Sequence, residues 1–113
     1  MAENILIRSI EKKDTNSIVS LSHELGYQVN AETVDFLIES ILNDEKQWAF
    51  VAEKNNEVIG FVHAFYALRL TTPPFIEIAG LIVSENERSN GIGKMLVNYI
   101  ELNCAQNFKI RFR

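Results

Sequence analysis

Between Phe75 and Phe112 an apolar run, a polar loop, an amphipathic helical stretch and a second apolar run follow one another directly. No other feature constrains the fold as much. A strand that leads through a helix into another strand of the same sheet must pair with it in parallel, by a right-handed crossover. The run from Phe75 to Val83 has Gly80 inside it, and a glycine within a strand marks a bulge or a close backbone approach. Ser84 to Gly91 is polar loop. Ile92, Met95, Leu96, Tyr99, Ile100 and Cys104 then share one helical face. Phe108 to Phe112 begins one more strand.

Upstream, Ile5 to Ile10 reads as a short, largely buried strand. Asp14 is placed to cap a helix on which Ile18, Leu21 and Leu25 recur at helical spacing, with Gly26 as its stop. Asn30 caps a second helix, whose Val34, Leu37, Ile38, Ile41 and Leu42 form an apolar stripe. From Gln47 the period falls to two, and Trp48, Phe50 and Ala52 lead to Asn55-Asn56, a two-residue hairpin turn built from residues that tolerate positive φ. Val58 to Leu68 continues as strand, and Thr71-Thr72-Pro73-Pro74 breaks it. The expected order is β-α-α-β-β-β-α-β, an α/β (α+β) domain with a mixed, mainly antiparallel sheet flanked by helices. The 113 residues suffice for one domain with one core. The last strand has barely begun at Arg113, so the C-terminal part of the sheet is expected to be missing, and the open edge makes a homodimer or a partner chain plausible.

Charge and cysteine content narrow the function classes. With 15 acidic and 11 basic side chains the net charge is −4, which argues against nucleic acid as a partner and mildly favours cationic small molecules. No stretch approaches the ~20 apolar residues of a membrane span, and MAENILIRSI has no secretory pattern. Cys104 is the lone cysteine. It offers neither an internal disulfide nor a thiolate metal cluster, so the chain reads as cytoplasmic and metal-free. His23 and His63 have no companion ligand at a metal spacing and read as surface or packing histidines.

The chemistry concentrates in Arg88-Ser89-Asn90-Gly91-Ile92-Gly93-Lys94. Two glycines stand at the mouth of a helix directly after a strand, where unpaired backbone N–H groups and the helix dipole favour an anion such as phosphate. Arg88 and Lys94 flank that anion with positive charge. A dinucleotide fingerprint would need a third glycine, and a P-loop would need Gly-Lys-Ser/Thr after a longer loop. Both fail on spacing.

The stretch GLIVSENERSNGIGKMLVNYIE resembles the signature of the GCN5-related N-acetyltransferases, Arg/Gln-x-x-Gly-x-Gly/Ala after an apolar strand ending in Val. The element order from Ile5 to Arg113 is similar to that family's as well. The resemblance implies acetyl-CoA as co-substrate and a small-molecule or peptide amine as acceptor. It implies that the backbone of Arg88, Ser89, Asn90, Gly91, Ile92, Gly93 and Lys94 cradles the pyrophosphate, and that Leu81, Ile82 and Val83 pair with the pantetheine arm. An amine protonated at neutral pH must lose a proton before it attacks a thioester. Glu77 is the expected base: even spacing puts it on the face of Leu81 and Val83 unless a bulge at Gly80 shifts the parity. Tyr27, between the first two helices, is the expected acceptor contact. The resemblance implies further C-terminal elements, which often supply a tyrosine that protonates the departing thiolate, and these are expected to be missing after Arg113. A binding module that keeps the cradle but turns over poorly is therefore the rival to an enzyme.

Overall fold

The computed structural model describes residues 4–104, and residues 109–112 as backbone. Its elements are β1 (Ile5–Ser9), a 3₁₀ turn (Lys12–Asp14), α1 (Thr15–Glu24), α2 (Ala31–Leu42), β2 (Gln47–Lys54), β3 (Glu57–Arg69), β4 (Thr72–Val83), a 3₁₀ segment (Glu85–Asn90), α3 (Ile92–Asn103) and β5 (Lys109–Phe112). The strands lie in the order β1-β2-β3-β4-β5. The first four are antiparallel, and β5 runs parallel to β4. The crossover through α3 thus gives the parallel pairing that the strand-helix-strand order requires.

Helices cover both faces. On one face Ile92, Leu96 and Ile100 of α3 pack on Ala52, Val62, Ala64, Ile76 and Ile78; their spacing of four residues stacks them in one row along the helix. On the other face Ile18 of α1 with Val34 and Ile38 of α2 cover Ala49 and Val51. The apolar stripe of α2 is narrower than its sequence implies. Leu37 and Leu42 are each 48% exposed, because α2 shares its sheet face with α1 and only its Val34, Ile38 and Ile41 row reaches the strands. Cys104 packs against the α3 cluster, and burial pushes its thiol up to about 11. It is protonated core at neutral pH.

Three local expectations meet different outcomes. Asn55 and Asn56 have φ of 51° and 65°, the left-handed pair of a tight hairpin turn. Thr72, Pro73 and Pro74 open β4 instead of breaking the chain. The prolines fall where the β3–β4 register is irregular, between Ala67 and Arg69, so no ladder N–H is needed from them. Asp14 precedes α1 but does not cap it. Its carboxylate turns inward, takes two hydrogen bonds from Arg8 at 2.9 Å each, and accepts the Glu11 N–H at 2.8 Å. A paired guanidinium outweighs one cap bond.

Asp14 is buried. Desolvation pushes its carboxyl up, but the Arg8 guanidinium and the Glu11 N–H together hold it below its ordinary value. A carboxyl depressed in the fold adds stability that is complete above its unfolded pKa of ~3.9 and fades as pH falls through the lower folded value. Asp14→Asn is therefore expected to lower unfolding free energy by about 1–3 kcal/mol near neutral pH, with a smaller difference from the parent below about pH 4. Urea denaturation across that range checks this, and an Asn variant as stable as the parent at pH 7 contradicts it.

Candidate active site

At the end of β4 the Ser84 N–H donates to Ile59 O at 2.7 Å and holds the strand end to the sheet. The stretch read as loop is in fact two turns of 3₁₀ helix, closed by bonds such as Glu87 N–H to Ser84 O at 2.9 Å. Gly91 then takes φ of 77°, a left-handed conformation that costs other L-residues about 1–2 kcal/mol. This one residue lets the 3₁₀ segment stop and α3 start in a new direction. The Gly91 carbonyl accepts the first helical bond, from Met95 N–H at 3.1 Å. The N–H groups of Ile92, Gly93 and Lys94 come before that bond, and no side chain caps this end. They form a row of backbone donors at a positive helix end.

The surrounding side chains leave that row open. Asn90 could cap α3, but its amide donates to Glu87 Oε1 at 2.9 Å. Arg88 Nε donates to Val83 O at 3.1 Å, which folds the exposed guanidinium over the end of β4. Ser89 and Lys94 are exposed, whereas the Ile92 side chain is buried under the sheet, so Ile92 offers only its backbone. A Cβ on Gly93 would lie 3.7 Å from Leu81 Cδ2 and 3.9 Å from Val83 Cγ2. One methyl fits there, and a larger side chain would press on β4.

Two ties that sequence reasoning missed hold this segment in place. Lys54, at the β2–β3 turn, meets both oxygens of Glu87 at 3.0 and 3.2 Å. The Lys54 ammonium and then the Asn90 amide keep the Glu87 carboxyl below its usual value. At the end of α1 the Glu24 carboxylate accepts the Glu85 N–H at 2.9 Å. The partners are 33 and 61 residues apart, and no local pattern signals such pairs.

The decisive feature of β4 is its register. Ile78 faces Ala64 and Gly80 faces His63, so Ala79 is an extra residue and the bulge lies there, one position before Gly80. β5 pairs with Phe75 to Ile78 and stops at the bulge. From Ala79 to Val83, β4 has a neighbour on its β3 side only, among the described residues. That unpaired strand edge runs straight into the donor row of α3. Together they suit a ligand with an amide-bearing arm and a phosphate at its end, which is the shape acetyl-CoA requires.

The bulge also overturns the expected position of Glu77. Ile76 and Ile78 belong to the core under α3, and Leu81 and Val83 pack on the same core. Glu77 points to the opposite face, that of α1 and α2, because the extra residue flips the alternation. Its carboxylate is buried and takes a hydrogen bond from Arg69 Nη2 at 2.7 Å, and Arg69 lies 5.5 Å over the Phe75 ring. Tyr27 is 58% exposed at the α1–α2 corner, which the Glu24 tie brings to the cradle end of β4. The structure thus joins Leu81, Ile82 and Val83 to the Arg88–Lys94 cradle along one edge, and puts Glu77 on the sheet face of the Tyr27 helices.

No group of three His, Cys, Asp or Glu able to hold a metal occurs among the described residues. No described helix is long and apolar enough to cross a membrane.

The sequence pattern of the acetyltransferase (GNAT) family matches residues 13–111. No curated protein sequence matches the chain. Among solved structures, an aminoglycoside N-acetyltransferase in complex with CoA superposes with a TM-score of 0.84 at 18% identity, covering 100% of this chain and 78% of that one. Glucosamine-6-phosphate N-acetyltransferase from Arabidopsis thaliana gives 0.83 at 18% identity, covering 98% and 82%. A GNAT family acetyltransferase from Staphylococcus aureus gives 0.79 at 21% identity, covering 96% and 84%. With a family pattern that spans nearly the whole chain and a matching fold, the chain belongs to the GNAT acetyltransferase family.

Proposed function

We propose that the chain transfers an acetyl group from acetyl-CoA to a primary amine by direct attack, with both substrates bound together. The observation that carries this is the β4 edge, unpaired among the described residues, that leads into the uncapped start of α3. When bound, acetyl-CoA supplies an acetyl group activated as a thioester. The N–H groups from Gly91 to Lys94 hold its pyrophosphate, with Arg88 and Lys94 adding positive charge. Leu81, Ile82 and Val83 present strand backbone to the pantetheine amides, as an added strand would be paired. A strand N–H near Leu81 meets the negative charge that develops on the carbonyl oxygen. No residue of the chain has to form a covalent bond.

The acceptor is proposed to be a cationic primary amine. Two of the structural neighbours are named for amino-sugar acceptors, and the net charge of −4 favours cations. Tyr27 contributes an aromatic face at the exposed α1–α2 corner. Glu77 enters as a fixed negative charge on the acceptor face. Its carboxylate is buried and held by Arg69 at 2.7 Å, and its proposed part is to steady positive charge near the bulge.

Gly91→Val tests the cradle. A β-branched residue at φ of 77° shifts the donor row, and CoA affinity is expected to fall at least about tenfold, or ~1.4 kcal/mol. Calorimetry that shows unchanged affinity in a folded Gly91→Val variant contradicts the assignment. Glu77→Gln tests the acceptor side. The specificity constant kcat/KM for cationic amines is expected to fall about tenfold through a higher KM, while CoA affinity stays at the parent value. Parent kinetics in the Gln variant would remove Glu77 from the site.

A further inference from the structure

We propose that His63 accepts the proton of the acceptor amine, through water standing over Gly80. This rests on the acetyl-transfer reading and names the base within it. His63 lies on β3 directly opposite Gly80, one residue past the bulge. Residues opposite one another in an antiparallel pair project to the same face, so the imidazole and the missing Gly80 side chain share the face of α1 and α2. A Cβ on Gly80 would meet nothing within 4 Å. Open space therefore lies over β4 beside the ring, on the way to the strand edge that would hold the acetyl arm. A larger residue at position 80 would stand in it. Two strand spacings, ~10 Å, separate β3 from a chain laid along that edge, a distance that the imidazole and intervening water span.

The ring is set up to accept a proton. Its Nε2 lies 2.6 Å from Gln47 Oε1, and a carboxamide oxygen only accepts hydrogen bonds, so Nε2 carries the hydrogen. The lone pair is then on Nδ1, which has no hydrogen-bond partner among the described residues. Burial lowers the proton affinity of the ring below the usual histidine value, so the neutral, accepting form prevails near pH 7. Phe65 stands beside the ring at 6.4 Å between centroids. The charged groups on the same face toward the start of β4 are Glu77, opposite Phe65, and its partner Arg69.

The bond changes balance without an added reagent. The ammonium gives one proton through water to Nδ1, and the freed nitrogen lone pair attacks the thioester carbonyl carbon. The C–N bond forms and the C–S bond breaks. A second proton leaves the nitrogen for the departing sulfur, which gives amide and thiol, and His63 returns its proton to solvent.

The test compares the full chain with its His63→Gln and His63→Ala variants, using acetyl-CoA with neamine, glucosamine 6-phosphate and spermidine, and reading released CoA thiol. Circular dichroism melts confirm folding, and Gln keeps both size and polarity should Ala fail to fold. The expected result is a kcat lowered about 10²-fold in both variants, with the CoA dissociation constant within about twofold of the parent. Added imidazole is expected to raise the rate of the Ala variant by about tenfold, which a purely structural role of His63 would not produce. Folded variants whose kcat stays within about threefold of the parent overturn the proposal. A parent chain that neither binds CoA nor acetylates any of the three amines overturns the acetyl-transfer reading itself, and that result is separate from a loss confined to the variants.

Discussion

The single extra residue at Ala79 organises the functional half of this molecule. Before it, β4 is an interior strand, paired with β3 on one side and with β5 on the other. After it, β4 has a free edge on the β5 side among the described residues. An unpaired row of strand N–H and C=O groups ordinarily invites unwanted pairing, and here it runs directly into the start of α3, which no side chain among the described residues caps. The bulge also reverses which side chains face which layer. It keeps Leu81 and Val83 on the α3 core while turning Glu77 to the other face. One local register slip thus separates the open strand edge from the face that carries Glu77.

That edge is useful only if the segment after it holds still, and the structure spends several weak contacts on this. An exposed or partly exposed ion pair is worth about 0–1 kcal/mol, so the Lys54–Glu87 pair contributes little to global stability. Its effect is positional. Together with the Asn90 amide and the Glu24 bond to the Glu85 N–H, it fixes the 3₁₀ segment to the β2–β3 turn and to α1. The helix end it positions attracts an anion by about 0.3–1 kcal/mol, and up to ~2 where partly buried. Several correctly placed donors are needed before that becomes useful affinity.

The sequence reveals the frame because the frame is written in local patterns. Period two and period 3.6 mark the strands and helices, Asn55-Asn56 marks the turn, and the apolar strand ahead of Arg88-Ser89-Asn90-Gly91-Ile92-Gly93 marks the entry into α3. What it hides depends on partners distant along the chain. Asp14 forsakes its helix cap for Arg8 on β1, an ion pair that the cap position gives no hint of. Leu37 and Leu42 are left half exposed because α1 competes for the same face of the sheet. Glu77 changes face because a glycine inside a strand does not by itself say whether the ladder takes in an extra residue there. The place of His63 opposite Gly80 follows from the register, which no local pattern shows.

The central claim, that the β4 edge and the start of α3 form one continuous acetyl-CoA site, is tested most directly by backbone amide hydrogen exchange with and without CoA. The account predicts that CoA slows exchange at Leu81 to Val83 and at Gly91 to Lys94 together, while the amides of β1 and β2 are unaffected. Saturating CoA that leaves those amides unprotected, or that protects a different edge of the sheet, would contradict it.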